Sequence, residues 1–228
     1  MHSQLIDFQI VFRIKPEGHT TYQPIPSQTL QTMSAKGTYT TAEPLDWDEA
    51  ISLMNRLFKD ENYRISLLVG CGIFFGLRIS DLLRLTWHEL LDEETFIIHE
   101  QKTGKRRIIK VNDTFKRTII QPCYERLHIK KLDEPVFLSK IGLPYTADRL
   151  NVMFKGIRVK YRLSIKRFTT HSLRKTFAKR VYTMAGNRSE DALVRLSEML
   201  GHSSTAITRK YIGLTQQVMA DTYDMLAY

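Results

Sequence analysis

Residues 65–77 read ISLLVGCGIFFGL, and no other stretch limits the fold as much. The run is apolar nearly all round, so a helix built from it has no polar face to turn toward water. Such a helix must lie inside a domain large enough to surround it. It is too short to span a bilayer, which takes about 20 residues, and it is interrupted by Ser66 and by glycines. The 228 residues of the chain supply the surroundings, as one large domain or two small ones. With 43% hydrophobic and 25% charged residues, the composition excludes a disordered chain.

Two cysteines, Cys71 and Cys123, are too few for a disulfide framework or a multi-cysteine zinc site, and a reduced compartment is the natural reading. No basic segment followed by an apolar one marks an export signal, so a cytoplasmic protein is expected. The 34 Lys and Arg against 24 Asp and Glu leave a net charge of +10. That balance suits a polyanionic partner, either nucleic acid or an acidic membrane surface. The charge is also clustered. Residues 155–180 hold ten basic residues and no acid, and residues 102–117 hold seven more against Asp113 alone. Ile157, Val159, Tyr161, Leu163, Ile165 and Phe168 interleave with the first cluster, which makes it a folded face suited to tracking phosphates.

The order of elements reads as mainly α with one small antiparallel β-sheet. Residues 1–40 look like a separate extension or arm: 4–14 fit one strand, and the rest is rich in Thr, Ser, Gln, Gly and Pro. Asp46 followed by Glu49 resembles a capping box and opens a helix toward residues 55–58. Helix resumes or restarts over 80–85, after a turn at Gly76. Strands are predicted at 95–99 and 107–111, joined by a basic turn at 101–105. Further helices are predicted at 114–127, 146–160, 172–184, 191–200 and 216–226.

Cleaving a DNA strand with side chains alone requires a nucleophile that can hold phosphate. It also requires cations at the non-bridging oxygens and an acid for the departing 5′-oxygen. Arginine suits the cationic role, because its fork matches phosphate and stays charged. The chain offers such groups in order: Arg78 in GLRISDLLRL, Lys102 in KTGK, His171 and Arg174 in HSLRKTFA, then His202 and Tyr211 in LGHSSTAITRKYIG. His171 and Arg174 lie one helical turn apart and can face one ligand. Lys105, Arg106 and Arg107 compete with Lys102 for its role, and Tyr182, Tyr223 and Tyr228 are the alternatives to Tyr211.

The order R…K…HxxR…GH…Y resembles the tyrosine recombinase, or phage integrase, family, over about 180 residues from Pro44 to the C-terminus. The resemblance implies that Tyr211 attacks the scissile phosphate and becomes a 3′-phosphotyrosine, while Arg78 and Arg174 clamp the non-bridging oxygens. It implies that Lys102 protonates the 5′-hydroxyl, that His171 assists proton transfer at the tyrosine, and that His202 donates a hydrogen bond to phosphate. Asp81 matches an acidic position that supports the arginine. Neither cofactor nor metal is implied. The expected partner is double-stranded DNA, contacted by Lys105, Arg106, Arg107, Lys166, Arg167 and Lys175. Assembly as a homo-oligomer, a tetramer on DNA, would use the helix at 216–226, and accessory DNA-bending proteins are possible partners.

Many family members carry a helical core-binding domain of about a hundred residues before the catalytic one. Residues 1–40 do not read as such a domain, so the chain resembles either short recombinases made almost wholly of the catalytic domain, here 41–228, or a fragment of a longer integrase. Two further functions share parts of this pattern: a type IB topoisomerase-like nicking and rejoining enzyme, and a DNA-binding regulator without catalysis.

Overall fold

The computed structural model describes residues 42–214. The expected arm at 1–40 and the expected helix at 216–226 lie outside them. Helix α1 (Trp47–Lys59) starts where predicted, and Asp46 accepts a hydrogen bond from the Asp48 N–H at 3.0 Å. The capping box does not close. Glu49 instead accepts from the backbone N–H and hydroxyl of Ser164, at 2.7 and 2.6 Å, and pins the start of α1 to a distant basic loop.

Helix α2 (Tyr63–Phe75) is the apolar run, buried along most of its length as its composition requires. Its one buried hydroxyl, Ser66, donates to the Met54 carbonyl at 2.8 Å. Gly76 ends the helix where a turn is expected, with φ +60°, a conformation that costs glycine little. Short helices α3 (Ile79–Leu82) and α4 (Trp87–Leu91) follow. Strands β1 (Thr95–His99) and β2 (Arg106–Lys110) pair antiparallel, with His99 opposite Arg106. β2 begins one residue before its predicted start. Phe96, Ile98 and Ile109 face the core, while Ile97 and Ile108 face outward.

The predicted helix at 114–127 is α5 (Asp113–Phe115), a wide π turn (Lys116–Ile120) and α6 (Gln121–Arg126). Pro122 lacks the N–H that an α-helix would donate to the Thr118 carbonyl, and the wide turn accommodates that missing bond. Helices α7 (Ala147–Lys160), α8 (Thr170–Met184), α9 (Ser189–Leu200) and α10 (Thr205–Ile212) complete the described fold. No described helix is long and apolar enough to cross a membrane. In the basic segment between α7 and α8, Leu163, Ile165 and Phe168 are buried and Phe168 stacks on Phe154, with ring centroids 4.5 Å apart. Val159 departs from this pattern: it lies about 200° around α7 from buried Ile157 and is exposed.

α8 packs directly on α2. A methyl group at Gly72 would lie 2.6 Å from Leu173 Cδ1, closer than carbon atoms approach. Gly72→Ala is therefore expected to destabilise the protein by about 1–3 kcal/mol through overpacking. A thermal melt should show a fall of roughly 2–12 °C; an unchanged melting temperature would contradict the close packing. A smaller apolar cluster of Phe177, Ala178, Leu193, Leu196, Leu200 and Ile212 joins α8, α9 and α10, with Tyr182 and Tyr211 packed on it.

Candidate active site

Arg78 stands at the junction of α2 and α3. Its Nη1 donates to the Glu100 carboxylate at 2.6 Å and its Nη2 to the Leu200 carbonyl at 3.2 Å. Arg174 projects from the first turns of α8 and is buried. Its Nη1 donates to the Gly76 carbonyl at 2.7 Å and its Nη2 to the same Leu200 carbonyl at 2.9 Å. Residues 96 positions apart in sequence thus converge on one backbone oxygen. Burial lowers the Arg174 pKa to about 10, with Tyr211 and Glu100 opposing that fall, so the guanidinium stays charged at neutral pH.

Leu200 ends α9, and Gly201 turns the chain at φ +64°. His202 follows, with Nδ1 2.9 Å from the Thr208 hydroxyl, which lies 2.7 Å from the Ser197 hydroxyl. The His202 ring meets the Tyr211 ring edge to face, centroids 5.1 Å apart. The Tyr211 hydroxyl is buried and makes no hydrogen bond among the described residues. Burial raises its pKa, while the positive charges of Arg174 and Arg78 pull the other way. Of the alternative tyrosines, Tyr182 packs on the apolar cluster of α8–α10, and Tyr223 and Tyr228 lie outside the described residues.

His171 opens α8 and remains exposed. Partial desolvation, then the charges of Arg174, Lys175, Arg78 and Lys102, hold its pKa below the usual histidine value. His202 is lowered as well, by burial and then by Arg174 and Arg78. Both rings are therefore neutral at neutral pH. Lys102 is exposed in the turn between β1 and β2. Arg78, Arg174, His202 and Tyr211 form one cluster, with His171 and Lys102 within its electrostatic reach. Among the described residues, no group of three or more His, Cys, Asp or Glu is placed to hold a metal ion.

Two residues sit differently from expectation. Asp81 is buried and its Oδ1 accepts from the Gln101 N–H at 2.8 Å, with no side-chain bond to Arg78 among the described residues. The acid paired with Arg78 is Glu100, which the sequence reading missed. Arg107, expected on the DNA-facing surface, is turned inward. Its guanidinium donates to Glu100 at 3.4 Å and to the Phe75 carbonyl at 3.3 Å. Lys105, Arg106, Lys166 and Arg167 are exposed as a DNA contact requires, while Lys175 is half-buried with its ammonium 5.1 Å from the Tyr211 ring centroid.

The sequence profile of the phage integrase family matches residues 43–217, more than half of the chain. The chain belongs to the phage integrase family. It is 28% identical over 181 residues to the probable integrase/recombinase YoeC of Bacillus subtilis, covering 79% of this chain and 94% of that relative. It is 25% identical over 185 residues to the tyrosine recombinase XerD of Staphylococcus saprophyticus, covering 79% of this chain but 61% of the relative. Among solved structures, XerA recombinase superposes with a TM-score of 0.61 at 23% identity, over 81% of this chain and 65% of that one. XerH recombinase bound to palindromic difH in a post-cleavage complex gives 0.61 at 19%, over 90% and 60%. At these identities the structures show the shared fold: mostly helical, with the two-stranded antiparallel sheet.

Within this integrase-family site, Glu100 is buried among cations. Burial alone would raise its pKa, but the Thr103 and Arg78 hydrogen bonds and the charges of Arg78 and Arg174 outweigh burial and lower it. A depressed carboxylate contributes stability above its unfolded pKa, about 4.3, and loses it as pH falls through the lower folded value. Wild type should therefore melt above Glu100→Gln at neutral pH, with the gap narrowing in acid below about pH 4. A gap that widens on acidification would contradict this ion pairing.

Proposed function

We propose that this chain is a site-specific DNA recombinase that cuts and rejoins strands through a 3′-phosphotyrosine at Tyr211, without metal or ATP, in the integration, excision or inversion of a mobile or switchable element. The observation that carries this reading is the convergence of Arg78 and Arg174 on the Leu200 carbonyl, two residues before His202, with the buried Tyr211 hydroxyl in the field of both arginines. Each guanidinium keeps further N–H groups for a phosphate after those bonds are made.

In the step envisaged, the Tyr211 oxygen attacks the scissile phosphorus. Neutral His171 takes the phenolic proton, Lys102 gives one to the departing 5′-oxygen, and one P–O ester replaces another. The arginines stabilise the charge that gathers on the non-bridging oxygens. In the tautomer whose Nδ1 accepts from the Thr208 hydroxyl, 2.9 Å away, the His202 Nε2–H is free to donate to phosphate. Reversal needs only a 5′-hydroxyl, from the same strand or its partner.

Lys105, Arg106, Lys166 and Arg167 extend the cationic surface along DNA. On this reading residues 1–40 form an arm ahead of a catalytic domain at 41–228. The segment at 216–226 docks on a neighbouring protomer in a DNA-bound tetramer, with DNA-bending proteins assisting in the cytoplasm. The test is a supercoiled plasmid carrying two copies of the DNA that flanks the gene, incubated in EDTA. A recombinase deletes or inverts the intervening segment, a type IB topoisomerase only relaxes the plasmid, and a regulator binds without changing it. Recombinant products are expected; relaxation alone would overturn the assignment.

A further inference from the structure

The turn bearing Lys102 is closed by Glu100. The Gly104 N–H donates to the Glu100 carbonyl at 2.7 Å, and the Glu100 N–H donates to the Lys105 carbonyl at 3.0 Å. The Glu100 side chain then reaches in two directions from within the protein. Its Oε2 accepts from the Thr103 hydroxyl at 2.7 Å, across the turn, and from Arg78 Nη1 at 2.6 Å, across the site. Its Oε1 accepts from Arg107 on β2 at 3.4 Å. The carboxylate is 1% exposed, so these partners replace its water. The turn at Gly201 packs against the same group: a methyl there would lie 3.5 Å from Arg78 Nη2, 3.9 Å from Thr103 Cγ2 and 4.0 Å from Glu100 Oε2. One buried carboxylate oxygen therefore joins the phosphate-binding arginine to the turn that holds the proton donor.

We propose that Glu100 is a positioning residue that couples Arg78 to the Lys102 turn through Thr103, so that the two groups keep a fixed separation about the scissile phosphate. The proposal rests on the roles given above to Arg78 and Lys102. It assigns Glu100 no contact with DNA. Two charged N–H groups and a hydroxyl meet at this residue, and a side chain locked in that way transmits displacement at one partner to the other.

Two measurements on the full chain test the coupling. The first does not depend on catalysis: amide hydrogen exchange of residues 101–105, compared with that of the β1–β2 ladder. Arg78→Ala, Glu100→Gln and Thr103→Val should each speed exchange in the turn by about fivefold or more, with the ladder unchanged. Turn exchange that ignores Arg78→Ala overturns the coupling, whether or not the protein cuts DNA. The second measurement is cleavage of a nicked DNA substrate. Thr103 is exposed and its valine variant keeps the ion pair, so folding should survive. That variant is expected to cleave ordinary DNA about tenfold or more slowly, with DNA binding retained, because Lys102 loses its register. A 5′-bridging phosphorothiolate, whose sulfur leaves without a proton, should restore the wild-type rate. Unchanged cleavage, or slowing that the sulfur substrate does not relieve, overturns the positioning role. If wild type forms no adduct while exchange responds as expected, the recombinase reading fails and the coupling stands.

Discussion

Replacing Tyr211 with phenylalanine is expected to abolish covalent attachment to DNA while leaving DNA affinity within about twofold of wild type, since binding rests on many phosphate contacts. The loss should exceed about a thousandfold, because the oxygen that forms the intermediate is gone and no other group takes its place. The same change should not weaken the fold. The Tyr211 hydroxyl is buried without a hydrogen bond among the described residues, and an unsatisfied buried polar group costs about 1–3 kcal/mol. The phenyl ring keeps the edge-to-face contact with His202 and the ammonium of Lys175 over its face. A melting temperature at or above that of wild type, together with absent adducts, identifies the hydroxyl as chemical and not structural. Loss of both binding and stability would mean that Tyr211 serves the fold.

The second large effect is expected at Arg174. Lysine at this position keeps a charge but is a single point donor, unable to reach both the Gly76 and Leu200 carbonyls. Cleavage should fall by about a hundredfold or more, the scale seen when one preorganised donor to a reacting oxyanion is removed. Stability should fall too, because a buried carbonyl is left without its partner, at a cost of about 1–3 kcal/mol. The losses arise from different atoms and should separate. A slowly cleaving variant should keep nearly all of its DNA affinity, because one phosphate contact among many is a small part of the binding. Cleavage near the wild-type rate would show that Arg174 holds α2, α8 and α9 together and does not touch phosphate.

Much of this arrangement was legible in the residue order. The hairpin was readable because two short β-type runs, at 95–99 and 107–111, flank a turn that contains Thr103 and Gly104. The buried helix was readable because the run at 65–77 offers no polar face. Helix α10, which carries Tyr211, was missed. Its Ser- and Thr-rich start reads as loop, although Ser204 caps it, accepting from the Ile207 N–H. Helix α4 was missed despite a usable signal, since Thr86 and Glu89 form a capping box of the usual spacing.

Glu100 left no such trace. It is a single acid beside a basic turn, and its partner Arg78 is brought to it only by the packing of β1 against the end of α2. The inward turn of Arg107 follows from the same carboxylate, which outcompetes solvent for one cation in a basic run. Asp81 shows the converse. The family resemblance implies that it supports Arg78, yet from the first turn of α3 its short side chain meets the Gln101 N–H.

The most direct test of the central claim is to identify the residue that carries DNA. Wild-type protein would be incubated in EDTA with DNA flanking its gene, denatured, and digested with nuclease and protease, and the modified peptide sequenced by mass spectrometry. The account predicts a nucleotide joined through its 3′-phosphate to Tyr211. Attachment to Tyr182 or any other residue, linkage through a 5′-phosphate, or no adduct despite salt-sensitive binding would contradict it.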